Sequence, residues 1–475
     1  MTDPIALVPL PKSVRWSDGT WSTTDPWSEL SVGISDDLPR TEYSLSISPA
    51  GASLTAGSEA ALADGRNTFA QILAGMPEGR YEIPCVVITD HPDYAWRGMH
   101  MDVVRHFFPI SDIEKMIDAM ALHRLNVLHL HLTDDQGWRV EIKGYPRLTE
   151  VGAVRDQTLV GKMTSDRFDP SWEFDGTKHG GWYSQDELRK LDEYARRRGI
   201  RIVPEIDLPG HMQAAIAAYP TLGNNPSAQL GVREYWGISE NVLGVSDEAF
   251  AFVRDVLEQV ADIFDSPFVH IGGDECPTVE WEQSPAAREA MNEWGYTRVS
   301  EIQGRFTQFA ADVLRKKGKR ILGWDEVLHS SLPDDTVIMN WRGPEGAVEA
   351  TERGFQTVIS TCNVAYFDWA QAKGPQEPLA IGTNITTLED VYTGTFVPDG
   401  LSDEQKSLVL GFQGQLWTEY IPTFEHLQYM AFPRMCALAE RAWGSSDQSF
   451  ADFRARLAPH LERLRSQGIN FRPLD

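Results

Sequence analysis

Eight short apolar segments recur between residues 98 and 413, and they limit the folds that this chain can adopt. They lie at residues 98–102, 126–132, 201–206, 268–272, 320–323, 336–340, 357–361 and 408–413. Amphipathic helical stretches lie between several of them, at residues 111–125, 184–198, 247–264 and 299–317. Buried strands alternating with helices predict an α/β fold, and eight of them predict a (β/α)8 TIM barrel. A doubly wound open sheet is the alternative, but no Gly-x-Gly-x-x-Gly motif follows the first segment.

The first part of the chain has a different pattern. Residues 5–92 alternate short β-like runs with Gly, Pro and Asp turns, and residues 58–74 form one helical stretch. This pattern predicts a small α+β domain over residues 1–92, which precedes a barrel domain over residues 93–475. We expect residues 450–467 to form a further amphipathic helix on the outside of the barrel.

Composition excludes several classes of partner. The formal net charge is −26, which argues against binding to nucleic acid or to anionic lipid. No apolar stretch is long enough to cross a membrane. The first residues, Met1 to Pro4, do not begin a basic segment followed by an apolar one, so we expect a cytoplasmic protein. The cysteines form no Cys-x-x-Cys pair, which suits a reducing compartment, and Cys276 is expected to be a packing residue.

Polar and aromatic side chains follow the predicted strands at the point where each strand ends. The carboxyl ends of the strands of such a barrel form its active site, so we expect these side chains to lie together. In chain order they are Arg105, His106, His131, Asp134, Asp135, Glu205, Asp207, His211, Asp274, Glu275, Trp324, Asp325, Glu326, Trp341, Arg342, Tyr366, Asp368, Trp417 and Glu419.

The segment from His270 to Glu275 is unusual because two glycines and two adjacent carboxylates follow a short apolar run. The glycines allow another group to approach the backbone closely. Burying a carboxylate costs several kcal/mol unless it is hydrogen-bonded or used, and acid/base chemistry is the obvious use. The alternative is that Asp274 and Glu275 begin a helix and interact with its dipole.

Two chemical hypotheses compete for this site. In the first, His129 and His131 share one face of a strand and bind a catalytic metal together with His211 and Asp274. No His stands directly at the end of the fifth or sixth segment, which argues against it. In the second, the site is a sugar pocket without metal or cofactor. Adjacent carboxylates diverge, so Asp274 and Glu275 do not suit a nucleophile and an acid facing each other across a bond, but they suit substrate-assisted hydrolysis.

Several motifs resemble those of the β-N-acetylhexosaminidases of glycoside hydrolase family 20. They are GMHMDVVRHFFP at residues 98–109, LNVLHLHLTDDQGWR at 125–139, PEIDLPGH at 204–211, HIGGDE at 270–275 and LGWDE at 322–326. The resemblance covers about residues 5 to 445. It implies an exo-acting, retaining enzyme that removes terminal β-linked GlcNAc or GalNAc from oligosaccharides, with the sugar's own 2-acetamido group as nucleophile.

The resemblance also implies a role for each matching residue. Glu275 would be the general acid and then the base, Asp274 would hold the acetamido N–H, and Tyr366 would bind the acetamido oxygen. Asp134 and His211 would tune Glu275 as a relay. The sugar would be bound by Trp324, Trp341 and Trp417 as walls and by Arg105, Glu419 and Asp368 at its hydroxyls. Asp325 and Glu326 are interpreted as structural support beside Trp324.

One stretch departs from the family pattern. Many members carry a further pocket Trp where this chain has PLAIGT at residues 378–383, and Trp369 is the only Trp nearby. We therefore expect the pocket wall on that side to be more open or rebuilt. A carbohydrate-binding protein without activity on the same fold is a second hypothesis. A metallohydrolase is the third.

Overall fold

The computed structural model describes residues 5–74, 76–165, 168–444 and 448–474. Residues Met1 to Pro4, on which the expectation about a leader rests, lie outside this part of the chain. No helix within these ranges is both long and apolar enough to span a membrane.

The N-terminal part is a five-stranded sheet in the order β1-β5-β3-β4-β2, with one helix packed against it. Its elements are β1 (Ser13–Thr23), α1 (Pro26–Glu29), β2 (Leu30–Ile34), β3 (Tyr43–Ser48), β4 (Gly51–Ala56), α2 (Glu59–Leu73) and β5 (Tyr81–Asp90). Side chains of β3 alternate between buried and less buried, as expected for a sheet with one covered face. Ser58 caps α2 by accepting the Ala61 N–H. The small α+β fold predicted for this part is confirmed.

A closed parallel barrel follows, in the order β12-β13-β14-β15-β16-β17-β6-β7. Its strands are β6 (Trp96–Asp102), β7 (Val127–His131), β12 (Arg201–Glu205), β13 (Phe268–His270), β14 (Arg320–Trp324), β15 (Val337–Asn340), β16 (Gln356–Ile359) and β17 (Val409–Gly414). Each predicted strand corresponds to one of these. Gly411 of the last strand pairs with Trp96 of the first, which closes the barrel and rules out the open sheet. The predicted division at residue 92 lies between β5 and β6.

Short strands and helices form the loops and the outer layer. They are β8 (Thr133–Asp134), β9 (Gly137–Trp138), β10 (Val154–Arg155), β11 (His179–Gly180), α3 (Ile110–Leu122), α4 (Arg147–Glu150), α5 (Gln185–Arg196), α6 (Gln213–Ala218), α7 (Asp247–Ile263), α8 (Val279–Gln283), α9 (Pro285–Trp294), α10 (Glu301–Lys316), α11 (Pro344–Glu352), α12 (Cys362–Ala365), α13 (Leu388–Thr393), α14 (Asp403–Ser407), α15 (Phe424–Ala431), α16 (Arg434–Trp443) and α17 (Phe450–Ser466). Two 3-10 turns lie at Pro220–Leu222 and Asp325–His329.

The predicted helices are present, and side chains cap three of them, at Ser58, Ser184 and Ser246. Ser184 begins α5 with a capping box, in which the Ser184 hydroxyl accepts the Glu187 N–H and the Glu187 carboxylate accepts the Ser184 N–H. Helix α17 buries Phe453, Leu457 and Leu464 against the rest of the protein, which confirms the predicted C-terminal helix. Most of the core lies between the barrel and these helices.

Asp90, at the end of β5, joins the N-terminal sheet to the barrel through a buried network. Its Oδ2 accepts hydrogen bonds from Arg124 Nη1 at 2.5 Å and Tyr43 Oη at 2.8 Å. Its Oδ1 accepts hydrogen bonds from Trp443 Nε1 and Lys12 N, both at 2.9 Å. Asp90 and Arg124 are both almost fully buried, so each charge depends on the other.

We therefore expect Asp90→Asn to destabilise the protein strongly. The substitution leaves the Arg124 guanidinium buried without its counter-charge, and losing one partner of a buried pair costs about 3–5 kcal/mol. Urea unfolding followed by tryptophan fluorescence measures the change. The matched control is Asp93→Asn, because Asp93 is 45% exposed in its pair with Lys12 and such pairs contribute about 1 kcal/mol or less. Equal unfolding midpoints for the two variants would contradict the role of Asp90.

Candidate active site

A cavity of about 250 Å³ opens at the carboxyl ends of the barrel strands. Every residue to which the resemblance assigns a catalytic or sugar-binding role lines it except Asp134, which is buried beneath. The lining residues are Arg105, His211, Asp274, Glu275, Trp324, Trp341, Cys362, Tyr366, Asp368, Trp369, Ile381, Gly382, Trp417 and Glu419. They come from separate loops across the whole chain, so the closed barrel is what brings them together.

Aromatic rings form the walls of the cavity. Trp341 and Tyr366 are stacked with their ring centroids 6.1 Å apart, and Trp324 lies 5.9 Å from Trp417. Trp341 Nε1 donates a hydrogen bond of 3.0 Å to Glu326. Rings held in this way present flat apolar faces, against which the C–H face of a sugar packs well.

Asp325 and Glu326 support a different tryptophan from the one expected. They follow Trp324 in the sequence, but Glu326 binds Trp341, and Asp325 accepts hydrogen bonds from Asn340 at 2.7 Å and Arg342 at 2.8 Å. Both therefore brace the end of β15. Burial, with the charges of Asp274 and Asp325, raises the pKa of Glu326 to about 8.

The structure explains the two glycines before Asp274. Gly272 has φ +64°, and a Cβ there would lie 1.7 Å from Asp207 Oδ1. The Gly273 N–H donates a hydrogen bond of 3.0 Å to that same oxygen. The group that approaches the backbone is thus the Asp207 side chain, and this contact turns the chain so that Asp274 and Glu275 face the cavity.

Asp274 and Glu275 do not begin a helix, so that alternative is wrong. The next helix, α8, starts only at Val279. Glu275 instead has a left-handed backbone with φ +47°, and His211 has φ +52°. For a residue with a Cβ this conformation costs about 1–3 kcal/mol and persists only where the surroundings enforce it, commonly at functional sites.

Adjacent positions place the two carboxylates in different environments. The Asp274 side chain is 12% exposed, whereas that of Glu275 is 37% exposed at the cavity. Partial burial, together with the charge of Asp274, raises the pKa of Glu275 to about 7 against the opposing effect of His211. Glu275 therefore carries a proton in a large share of molecules at neutral pH.

Three carboxylate oxygens on the cavity are buried and accept no hydrogen bond from the described residues. They are Asp274 Oδ1, Asp368 Oδ1 and Glu419 Oε2. A buried acceptor without a partner costs about 1–3 kcal/mol. The cavity is thus built for a ligand that presents several N–H or O–H donors, as a neutral amino sugar does.

Arg105 is fixed among these carboxylates. Its guanidinium lies 3.2 Å from Asp102, 2.8 Å from Asp134 and 3.9 Å from Glu419. It also lies over the Trp417 ring at 5.1 Å. A buried cation with three acidic neighbours is rigid, and it presents its remaining N–H groups in a set direction.

His211 connects the acidic pair to Asp134. Its Nδ1 lies 3.1 Å from Asp134 Oδ1, and its Nε2 lies 3.7 Å from Glu275 and 3.9 Å from Asp274. Burial alone would lower the pKa of His211, but the charges of Asp134 and Asp207 outweigh it and raise that pKa well above its usual value. His211 therefore lies between Asp134 and the two adjacent carboxylates, and its role as a relay that tunes Glu275 stays a prediction.

The metal set considered from the sequence is not assembled. Among the described residues, His129 and His131 lie in the barrel interior, where both contact Glu205, and no group of close ligands joins them to His211 and Asp274. Cys276 is partly buried, and burial raises the pKa of its thiol, which suits a packing residue.

The stretch at residues 378–383 contributes to the cavity wall. Ile381, Gly382 and Trp369 line the cavity on that side. The exposed side chain of Lys162, from another loop, donates a hydrogen bond to the Gly382 carbonyl. That this wall is more open or rebuilt relative to other family members stays a prediction.

Two carboxylates of the predicted strand-end cluster were given no role from the sequence. Glu205 accepts a hydrogen bond of 2.9 Å from Trp324 Nε1, and Asp207 receives the Gly273 N–H. Both belong to the PEIDLPGH motif, from which only His211 was assigned. A carboxylate at the end of a buried strand was the available signal.

A closed parallel barrel whose mouth holds an aromatic-walled, acid-lined pocket for a polar neutral ligand defines a glycoside hydrolase type of site. Residues 94–446 match the catalytic domain of Glycosyl hydrolase family 20, and the chain belongs to that family.

Curated and solved relatives agree with this assignment. The β-hexosaminidase of Porphyromonas gingivalis is 38% identical over 93% of this chain, and this chain spans only 56% of that relative's length. The β-hexosaminidase of Akkermansia muciniphila is 35% identical over a match that covers 96% of this chain and 90% of that relative's length. A solved structure of the GH20 exo β-N-acetylglucosaminidase from Vibrio harveyi, in complex with N-acetylglucosamine, superposes with a TM-score of 0.88. The two chains are 32% identical, and the match covers 98% of this chain and 78% of the Vibrio harveyi chain.

Proposed function

We propose that this protein is an exo-acting, retaining β-N-acetylhexosaminidase that hydrolyses terminal β-linked GlcNAc or GalNAc on oligosaccharides. Family membership and the β-hexosaminidase relatives support this activity. The observation that carries it is the contrast between two adjacent carboxylates. Asp274 presents a buried oxygen without a hydrogen-bond donor, whereas Glu275 is half-exposed with a pKa of about 7.

The same contrast supports substrate assistance. The acetamido oxygen attacks C1 of the sugar and forms a five-membered ring, while Glu275 gives its proton to the departing oxygen. Asp274 Oδ1 accepts the acetamido N–H and stabilises the positive charge that develops there. Glu275, now a carboxylate, takes a proton from a water molecule that opens the ring at C1. Two inversions at C1 give retention.

Other residues hold the sugar in place. Tyr366 donates its hydroxyl hydrogen to the acetamido oxygen, which orients that oxygen for attack. Asp368 and Glu419 accept hydrogen bonds from sugar hydroxyls through their partner-free oxygens, and Arg105 donates to the 3- and 4-hydroxyls. Trp324, Trp341 and Trp417 enclose the acetyl group and the ring face. The wall formed around Glu419 and Arg105 closes the non-reducing side, which suits exo action.

The first test compares two aryl glycosides that differ only at C2. We expect fast release from an aryl β-N-acetylglucosaminide and at least about 10³-fold slower release from the matching β-glucoside, because the glucoside lacks the intramolecular nucleophile. Similar rates would show a two-carboxylate mechanism and overturn the role of Asp274. Binding of N-acetylglucosamine without hydrolysis of either glycoside would instead support a carbohydrate-binding protein.

A second test separates the two carboxylates. Asp274→Asn should lower kcat about 10²–10³-fold on the aryl β-N-acetylglucosaminide, although Glu275 is intact, because a neutral amide cannot stabilise the developing charge. The matched control is Asp312→Asn on the exposed face of α10, which should be unchanged. Near wild-type turnover by Asp274→Asn would exclude substrate assistance.

The ionisation of Glu275 predicts the pH dependence. Its pKa is raised to about 7, so the proton-donating form is lost as pH increases through that value, and kcat/KM for a poor leaving group should fall above about pH 7. Glu275→Gln should lower kcat/KM for this substrate about 10²–10⁴-fold and spare kcat/KM for a dinitrophenyl glycoside, whose leaving group needs no proton. The variant should still lower kcat for the dinitrophenyl glycoside, because the water that opens the ring loses its base. If kcat/KM of the Glu275→Gln variant still fell above about pH 7, the ionisation would belong to another group.

A further inference from the structure

A single carboxylate lies inside the barrel beneath the pocket. Glu205 ends β12, has no exposed surface, and has histidine rings around it from neighbouring strands. An ionised carboxylate in such a place is costly unless its oxygens are fully hydrogen-bonded. The mechanism above does not use this residue.

The hydrogen bonds of Glu205 reach both the pocket wall and the relay. Its Oε1 accepts the indole N–H of Trp324 at 2.9 Å. Its Oε2 lies 2.5 Å from His131 Nδ1 and 3.1 Å from His129 Nε2. His129 Nδ1 accepts a hydrogen bond from Gln413 Nε2 at 3.0 Å, so the proton of that ring is on Nε2 and faces Glu205.

His131 is held between two carboxylates. Its Nδ1 faces Glu205, and its Nε2 lies 2.9 Å from Asp134 Oδ2. Asp134 is bound to Arg105 at 2.8 Å, which keeps it ionised. An ionised carboxylate can only accept, so each ring nitrogen of His131 must carry a proton, and the ring is an imidazolium.

The charges around His131 agree with this state. Burial opposes protonation, but Glu205, Asp134 and Asp102 outweigh it and raise the pKa of His131 to about 10. Two histidines among the described residues also face it, His100 at a ring distance of 5.8 Å and His129 on the other side of the shared Glu205 oxygen. Burial lowers the pKa of His100 and His129, so these rings are neutral and add no competing charge.

We propose that Glu205 is a positioning residue that holds His131 as an imidazolium against Asp134 and fixes the indole of Trp324. Through these two contacts it sets both the electrostatics of the Asp134–His211 relay and the pocket wall. Its kinetic consequence rests on the proposed function, whereas the state of His131 does not.

The direct test is nitrogen NMR of protein labelled with ¹⁵N-histidine. In the wild-type protein at pH 8 we expect two rings with both nitrogens protonated, those of His211 and His131, and only the His131 ring should be missing from His131→Gln. In Glu205→Gln the same ring should lose a proton, because one flanking charge is gone. A neutral His131 in the wild-type protein at pH 8 would overturn the proposal, and this result needs no variant to fold.

The kinetic test separates positioning from general destabilisation. Glu205→Gln should lower kcat/KM on the aryl β-N-acetylglucosaminide at least about tenfold and move the alkaline limb to higher pH. The substitution removes a negative charge from Glu205 and a positive charge from His131. The lost positive charge lies nearer to Asp134 and the relay, so the pKa of Glu275 rises. The matched control is Glu440→Gln, a buried glutamate that pairs with Arg456 on the outside of the barrel and should leave the pH profile unchanged.

Each outcome decides one claim. A slower Glu205→Gln enzyme with the wild-type pH profile would show a purely structural role and overturn the proposal. A wild-type protein without any glycosidase activity would remove the proposed function, and the NMR result would still decide the state of His131.

Discussion

The site depends on the balance between buried carboxylates and the few cations placed among them. Closing the barrel brings Asp102, Asp134 and Glu419 within 4 Å of one guanidinium, that of Arg105. Without that charge, three acidic groups at such separations would repel one another, and their burial would force them to take up protons. A rigid, partly neutralised rim is the result, and it leaves specific carboxylate oxygens free for a ligand.

The same balance explains how two neighbouring residues acquire different chemistry. Asp207 receives the Gly273 N–H and excludes any side chain at position 272, and this turns Asp274 into the wall and Glu275 towards the opening. His211 lies within 4 Å of both and moderates their repulsion. The strained backbone at Glu275 is the local cost of that arrangement, and the surrounding barrel supplies the stability to maintain it.

Much of the fold was predictable because its signals are local. Apolar runs of strand length, amphipathic stretches with caps such as Ser184, and the family motifs identify the barrel and the residues that line its mouth. The contacts of the acidic side chains were less accessible. Glu326 lies close to Trp324 in the sequence but accepts a hydrogen bond from Trp341. Asp274 and Glu275 could have begun a helix, but the next helix begins only at Val279. Such outcomes depend on side-chain direction, which spacing along a strand does not specify.

The sequence by itself determined the α/β class, the strand that carries each site residue, and membership of the family, since period, length and motif are properties of short segments. Only the tertiary structure decided which charged and polar groups contact one another. Glu205 and Asp207 stand two residues apart, yet one is bonded to Trp324 and His131 while the other receives a backbone N–H from the next strand's loop. Protonation states follow from distances between residues far apart in the chain, and those distances exist only once the barrel has closed.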